Sequence, residues 1–203
     1  FIHSLDIHLD IQNLWVGYDF AMGKDRTGTY TKLKRLGKQY DYTIKRIAPF
    51  YHEGEIVSST WIRELLAEGK VKQAASLLGR PYLIEGTVVE GDGRGKKLGF
   101  PTSNLSIPAS LARLRSGVYA SYVYLQGRRW KAVTNIGIRP TFEDQPVPAR
   151  LETYIFNFSD TLYGETLEVE FIDFLRKEQK FKTVDALQAQ INHDIQQARK
   201  ILS

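Results

Sequence analysis

Three small groups of residues carry the chemical potential of this chain. The first is the run Gly91–Asp92–Gly93–Arg94–Gly95–Lys96–Lys97–Leu98–Gly99–Phe100–Pro101, where four glycines and three cations fall within nine residues. Glycine lets backbone amides approach an anion closely, and successive amides form a nest for phosphate oxygens. Gly91, Arg94, Gly95, Lys97 and Gly99 are therefore candidate nucleotide-binding residues, with Pro101 adjoining them as a further candidate, although the Gly-x-x-x-x-Gly-Lys-Ser/Thr loop is absent. Read alone, the glycines fit an exposed hairpin loop with solvated cations better. The second group is Thr102 and Asn104, two residues apart, so that an extended backbone points both side chains the same way. A hydroxyl and an amide oxygen are hard ligands of the kind Mg²⁺ takes alongside substrate phosphates. An ordinary turn also uses these residues. The third is Glu152, near the start of the apolar run Leu151–Phe158. A carboxylate there can accept a hydroxyl proton during phosphoryl transfer, or can be an outward-facing polar residue of an alternating strand.

Strand-like runs must position these groups. They occur at Tyr82–Val89, Val118–Leu125, Trp130–Ile136, Leu151–Phe158 and Thr166–Phe174, separated by turn residues such as Gln126–Gly127 and Tyr163–Gly164. Short strands with regular turn punctuation imply an antiparallel barrel or sandwich. The tail 184–202 reads as an amphipathic helix, with Val184, Leu187, Ile191, Ile195, Ala198 and Leu202 near one face. Asp185 near its start and Arg199 and Lys200 near its end suit the helix dipole.

The first part of the chain has a different pattern. Leu14–Phe20 reads as a strand entering the charged loop Gly23–Gly28, followed by a basic helix around Lys32–Lys38 and a strand around Tyr42–Ile47. Strand, helix, strand suggests part of an α/β layer. Val57–Ser58–Ser59–Thr60 opens a helix with a serine cap, Gly69 stops it, and a second helix, Val71–Leu78, ends at Gly79 before Arg80–Pro81. The expected division is therefore residues 1–79 and 80–203, in a mixed α+β chain.

The composition excludes several classes. The 203 residues contain no cysteine, which removes a disulfide framework, a zinc-thiolate centre and a cysteine nucleophile and suits a reducing, cytoplasmic setting. No run of about 18 apolar residues exists, so no membrane helix is expected. The net charge of +5 suits an anionic partner such as a nucleotide without identifying one.

The run Gly95–Lys96–Lys97–Leu98–Gly99–Phe100–Pro101–Thr102–Ser103–Asn104 closely resembles the riboflavin kinase motif, whose core is Gly-Phe-Pro-Thr-Ala-Asn; Ser103 replaces the alanine. Further matches follow in family order: Gly117–Val118–Tyr119–Ala120, Asn135–Ile136–Gly137, Arg139–Pro140–Thr141–Phe142, Glu152, Leu162–Tyr163–Gly164 and Leu175–Phe181. The resemblance implies a six-stranded antiparallel Greek-key β-barrel with a C-terminal helix. It implies transfer of the ATP γ-phosphate to riboflavin, giving FMN and ADP. Thr102 and Asn104 would hold Mg²⁺ with ATP, and Glu152 would be the catalytic base. Arg176, Glu178 and Phe181 are the candidates for the flavin pocket.

The first part resembles the second half of the FMN adenylyltransferase domain that precedes the kinase in bacterial bifunctional FAD synthetase. The similarity rests on Val16–Phe20, the Gly23–Gly28 loop and Val57–Arg63. Asp19, Ser58, Ser59, Thr60 and Arg63 are its candidate residues, the serines and Arg63 suiting phosphate at a helix N-terminus. That family's His-x-Gly-His element is not among His3, His8, His52 and His193. The sequence thus reads as a bifunctional enzyme lacking the first part of its adenylyltransferase domain. The rival outside enzymes is a basic β-barrel binding single-stranded nucleic acid through stacked aromatics, which gives no reason for Thr102, Asn104 and Glu152 to occur in kinase order. No nucleic-acid or membrane partner is therefore expected.

Overall fold

In the computed structural model, which describes residues 2–91, 93, 95, 98–107, 111, 114–137 and 150–203, the chain divides into two compact units, Phe1–Val57 and Ser58–Ser203. The first holds helix α1 (Ile2–Leu9), strands β1 (Asn13–Val16), β2 (Ala21–Met22) and β3 (Gly28–Thr29), helix α2 (Tyr30–Gln39), and strands β4 (Thr43–Arg46), β5 (Tyr51–His52) and β6 (Glu55–Ile56). β1 and β4 pair in parallel, which requires a crossover connection. α2 supplies it, capped by Thr29, whose hydroxyl accepts from the Lys32 amide. Ile2, Val16, Leu33 and Tyr42 form the core of this unit. The Tyr42 hydroxyl donates to the Leu33 carbonyl at 2.7 Å.

The second unit is the larger. It includes α3 (Ser59–Glu68) and α4 (Val71–Leu78) as well as everything after Gly79. Gly69 and Gly79 do end these helices in left-handed conformations, but a break in helix is not a break in packing. Leu66, Val71 and Ala74 are buried, the Arg115 amide donates to the Leu66 carbonyl at 3.1 Å, and Lys72 pairs with Asp173 at 2.7 Å. The compact division therefore falls at Val57–Ser58, one helix pair before the change of pattern at Gly79.

Six strands follow: β7 (Tyr82–Val89), β8 (Ser103–Ser106), β9 (Gly117–Leu125), β10 (Arg128–Gly137), β11 (Arg150–Ile155) and β12 (Thr166–Arg176). They close into an antiparallel barrel in the order β10-β11-β8-β7-β12-β9. The non-sequential neighbours β8–β11, β7–β12 and β9–β12 give it its Greek-key course. Alternation fills the interior: Ala132, Thr134 and Ile136 point inward and are buried, whereas Val133 and Asn135 between them face outward. Tyr119 and Phe171 are fully buried and meet edge-on at 5.3 Å. Burial pushes the Tyr119 hydroxyl pKa up, against the opposing effect of Arg115, and the hydroxyl donates to the Arg115 carbonyl at 2.6 Å. Two register shifts between β12 and β9, near Phe171–Asp173 and Phe174–Arg176, bend β12 as bulges do.

The barrel interior also contains a chain of hydroxyls. Ser121 and Thr134 lie 2.8 Å apart, Thr134 and Thr153 3.0 Å, and all three are fully buried. Thr134 is the shared member, so Thr134→Val keeps the shape but strips a partner from each neighbour. A buried unsatisfied polar group costs about 1–3 kcal/mol, and the variant is expected to lose about that much. Urea denaturation checks it; an unchanged midpoint would mean the outer hydroxyls find other partners.

Helix α5 (Val184–Ile201) closes one side of the barrel. Thr183 caps it by accepting from the Ala186 amide. Ile195, Ala198 and Leu202 pack on Ala120 and Phe156. Among the described residues no helix is long and apolar enough to cross a membrane.

Candidate active site

A cavity of about 370 Å³ lies between the outer face of the barrel and α5, within the size range of small-molecule sites. Phe100, Val133 and Tyr154 line its barrel side, and Leu187, Ile191 and Ile195 its helix side. Phe100 and Tyr154 meet edge-on at 5.8 Å, giving an aromatic wall suited to a flat apolar ring. Thr102, Asn135, Glu152 and Glu178 supply its polar groups.

Strand register explains how distant residues meet here. Asn104 on β8 stands opposite Glu152 on β11, and Glu152 stands opposite Asn135 on β10. Directly opposed residues on neighbouring strands point to one face. The three form a row with the carboxylate in the middle.

Two glycines make room behind this row. A Cβ at Gly91 would collide with the side-chain amide of Asn104, and one at Gly95 would meet the Thr102 hydroxyl at 2.9 Å and the Phe100 carbonyl. Each candidate oxygen ligand is thus backed by a residue that cannot carry a side chain. The Leu98 and Phe100 amides both donate to the Gly95 carbonyl, at 3.0 and 2.9 Å, which forms the turn containing Gly99. Gln188 of α5 holds that turn by donating to the Leu98 carbonyl at 3.2 Å.

A second, more polar cavity of about 200 Å³ is lined by Gly93, Pro101, Thr102, Ser103, Asp160 and Tyr163, among others. Thr102 lines both cavities. Asn104 is 8% exposed, and its Oδ1 is buried without a hydrogen-bond partner. Among the described residues, no group of three or more His, Cys, Asp or Glu side chains is arranged to hold a metal.

The riboflavin kinase profile matches residues 78–202, well over half of the chain. The chain belongs to the riboflavin kinase family. A second profile, FAD synthetase, matches residues 1–61. Bifunctional riboflavin kinase/FMN adenylyltransferases are similar over nearly the whole chain. That of Haemophilus influenzae is 36% identical over 95% of this chain, that of Escherichia coli K12 37% over 95%, and that of Bacillus subtilis 34% over 100%. The chain spans only 62%, 61% and 64% of their respective lengths. A crystal structure described as a macrolide-efflux protein from Streptococcus pneumoniae shares the fold with a TM-score of 0.77 at 35% identity, covering 90% of this chain and 58% of that one.

Against the family motifs, the structure brings Gly95, Thr102, Glu152, Arg176, Glu178 and Phe181 to one cavity. Pro101 lines the second cavity, and Gly91 packs on Asn104. Arg94 and Lys97 lie outside the described residues. Arg176 has an engagement that the sequence does not reveal: its Nε and Nη2 donate to the Asp194 carboxylate at 2.8–3.0 Å, and its Nη1 donates to the Lys177 carbonyl. The Phe181 ring lies 5.8 Å from its guanidinium. Asp194, 2% exposed, also accepts from Gln190 at 2.8 Å.

The other candidates belong to two different units. Asp19 is exposed in a turn of the first, where its carbonyl accepts from Arg26 at 2.7 Å. Ser58, Ser59, Thr60 and Arg63 stand at the start of α3 in the second. Ser58 caps α3 by accepting from the Trp61 amide, and Arg63 donates to Ser59 at 3.2 Å.

Proposed function

We propose that this chain catalyses riboflavin phosphorylation, taking the γ-phosphate of ATP and releasing FMN and ADP. The observation that carries the reading is the position of Thr102, which borders both the aromatic cavity and the polar one. The flat isoalloxazine ring fits the first, between Phe100, Tyr154 and the apolar face of α5, with the ribityl chain toward Glu152. The nucleotide fits the second, with its phosphates directed to the strip formed by Gly93, Gly95 and Thr102. The Glu152 carboxylate accepts the proton of the terminal ribityl hydroxyl as its oxygen bonds to the γ-phosphorus and the bond to the β-phosphate bridging oxygen breaks. Arg176 and Glu178 hold the segment that carries Phe181 against the flavin. The helix α5 covers the ring side and keeps water from competing as acceptor.

The residues also suit Mg²⁺. The buried, unpartnered Oδ1 of Asn104 is a hard acceptor awaiting a cation or donor, and Thr102 adds a hydroxyl. When bound with ATP, the ion would neutralise phosphate charge. Thr102→Ala and Asn104→Ala are each expected to raise the Mg²⁺ concentration for half-maximal FMN formation about tenfold, the equivalent of about 1.4 kcal/mol. Superimposable Mg²⁺ titrations for both variants and the parent would remove these residues from the metal site.

The protein to which residues 1–61 belong is, on this reading, bifunctional and cytoplasmic, joining an FMN adenylyltransferase unit to the kinase. The deciding experiment is direct: the chain is incubated with riboflavin, ATP and Mg²⁺, and the flavins are separated. FMN formation dependent on all three supports the proposal; absence of FMN with intact, folded protein rejects it.

A further inference from the structure

Glu152 has a carboxamide on each side in its cross-strand row, and only one of them is accounted for. Asn104 lies on the nucleotide side, near Gly91 and Thr102. Asn135 lies on the other side and lines the aromatic cavity with Glu152. Its Nδ2 donates to the Glu178 carboxylate at 3.3 Å. Gly137, two residues along the same strand, leaves space for that carboxylate, since a Cβ there would lie 3.0 Å from Glu178 Oε1. Only the NH₂ of an amide can donate to a carboxylate, so this bond fixes the amide orientation and leaves Oδ1 free. That oxygen is buried with no hydrogen-bond partner.

A buried acceptor without a donor is destabilising, and such groups in folded proteins ask for a partner. Opposed residues on neighbouring strands have Cβ atoms about 5 Å apart, and Asn135 and Glu152 line the same cavity. A polyol chain brings hydroxyl donors on successive carbons. If one hydroxyl gives its proton to Glu152, a neighbouring one comes within reach of the adjacent residue in the row.

We propose that Asn135 is a substrate-orienting residue: its Oδ1 accepts a hydrogen bond from a ribityl hydroxyl near the one that is phosphorylated, and so registers the polyol against Glu152. The inference rests on the riboflavin kinase reading and deepens it. It makes the site selective for the polyol as well as for the ring. The Asn135–Glu178 bond then joins the polyol-reading strand to the segment carrying Phe181.

Riboflavin and lumiflavin separate the alternatives, because lumiflavin keeps the ring and its N3–H donor but lacks the ribityl chain. Binding of each to the full 203-residue chain is followed by flavin fluorescence, alongside steady-state FMN formation. Asn135→Leu removes donor and acceptor at similar volume. It is expected to weaken riboflavin binding about tenfold, the effect of one lost hydrogen bond, and to lower kcat/KM for riboflavin similarly. Lumiflavin affinity should fall less, by the share that the lost bond to Glu178 costs the segment carrying Phe181, and the KM for ATP should stay as in the parent. Asn135→Asp combined with Glu178→Gln keeps an acceptor oxygen and, with donor and acceptor exchanged, the bond between the two side chains; it is expected to retain the preference for riboflavin over lumiflavin and carries the test if the leucine variant does not fold.

Three results would overturn the inference alone, with the parent still making FMN. They are unchanged riboflavin binding in folded Asn135→Leu, an equal loss for both flavins (a ring contact), or loss of the preference in Asn135→Asp combined with Glu178→Gln. A parent chain that makes no FMN takes down the kinase reading and this inference together.

Discussion

Replacing Glu152 by glutamine is expected to lower the turnover of riboflavin to FMN by about 10²–10⁴-fold, the usual loss when a general base is removed. Glutamine has the same shape and can keep its place between Asn104 and Asn135. It still accepts a hydrogen bond from a hydroxyl, but its amide cannot take the proton as the P–O bond forms. The loss should therefore fall on kcat. Riboflavin binding, measured by fluorescence, and ATP binding should change little, because the aromatic wall and the glycine strip are untouched. Glu152→Asp should fall between the two, since it retains a carboxylate set back by one methylene. Those outcomes distinguish a base from a group that merely anchors the hydroxyl. An anchor would survive the change to glutamine, and a variant with near-parental kcat would rule out Glu152 as proton acceptor.

In the sequence, Thr102 and Asn104 stand out through a local motif, and Glu152 as a carboxylate near the start of an otherwise apolar run. The arrangement that brings them together was not legible there. The row Asn104–Glu152–Asn135 depends on the pairing of β8 with β11 and of β11 with β10, which no local pattern encodes. β8 itself shows no apolar alternation, because three of its four residues, Ser103, Asn104 and Ser106, are polar. The five longer strands were visible as alternating runs, and α5 as a 3.6-residue stripe. The limit of the compact units follows a different rule from the change of sequence pattern. Gly79 and Pro81 mark the end of a helix, whereas the division between units is set by what Leu66, Val71 and Ala74 bury against.

Asp194 left a signal in the sequence that periodicity alone passes over. It sits between Ile191 and Ile195 on a helix whose apolar face includes both. A carboxylate in that stripe must be paired or hydrogen-bonded to stay buried. Its partner, Arg176, comes from the end of β12 after the two register shifts, so the pairing could not be read from spacing.

That pair gives the largest expected effect on stability. The side chains of Arg176 and Asp194 are 19% and 3% exposed, respectively, and Nη2 lies 2.8 Å from Oδ2. Asp194→Ala leaves the guanidinium with no counter-charge in a mostly dry site and strips Gln190 of its acceptor. Breaking a buried pair from one side typically costs about 3–5 kcal/mol, and urea denaturation should show a loss in that range. The effect should reach the flavin too, because Arg176 lies beside Phe181 and lines the cavity. A guanidinium released from Asp194 turns toward water and takes the end of β12 with it, so the KM for riboflavin should rise while that for ATP holds. Replacing both partners, Arg176→Met with Asp194→Leu, removes the desolvated charges together and should recover much of the stability. It should not recover riboflavin affinity, since the segment carrying Phe181 loses its anchor. A loss below about 1 kcal/mol in Asp194→Ala would show the pair to behave as a surface contact. A double variant with parental riboflavin affinity would separate the pair from the flavin site altogether.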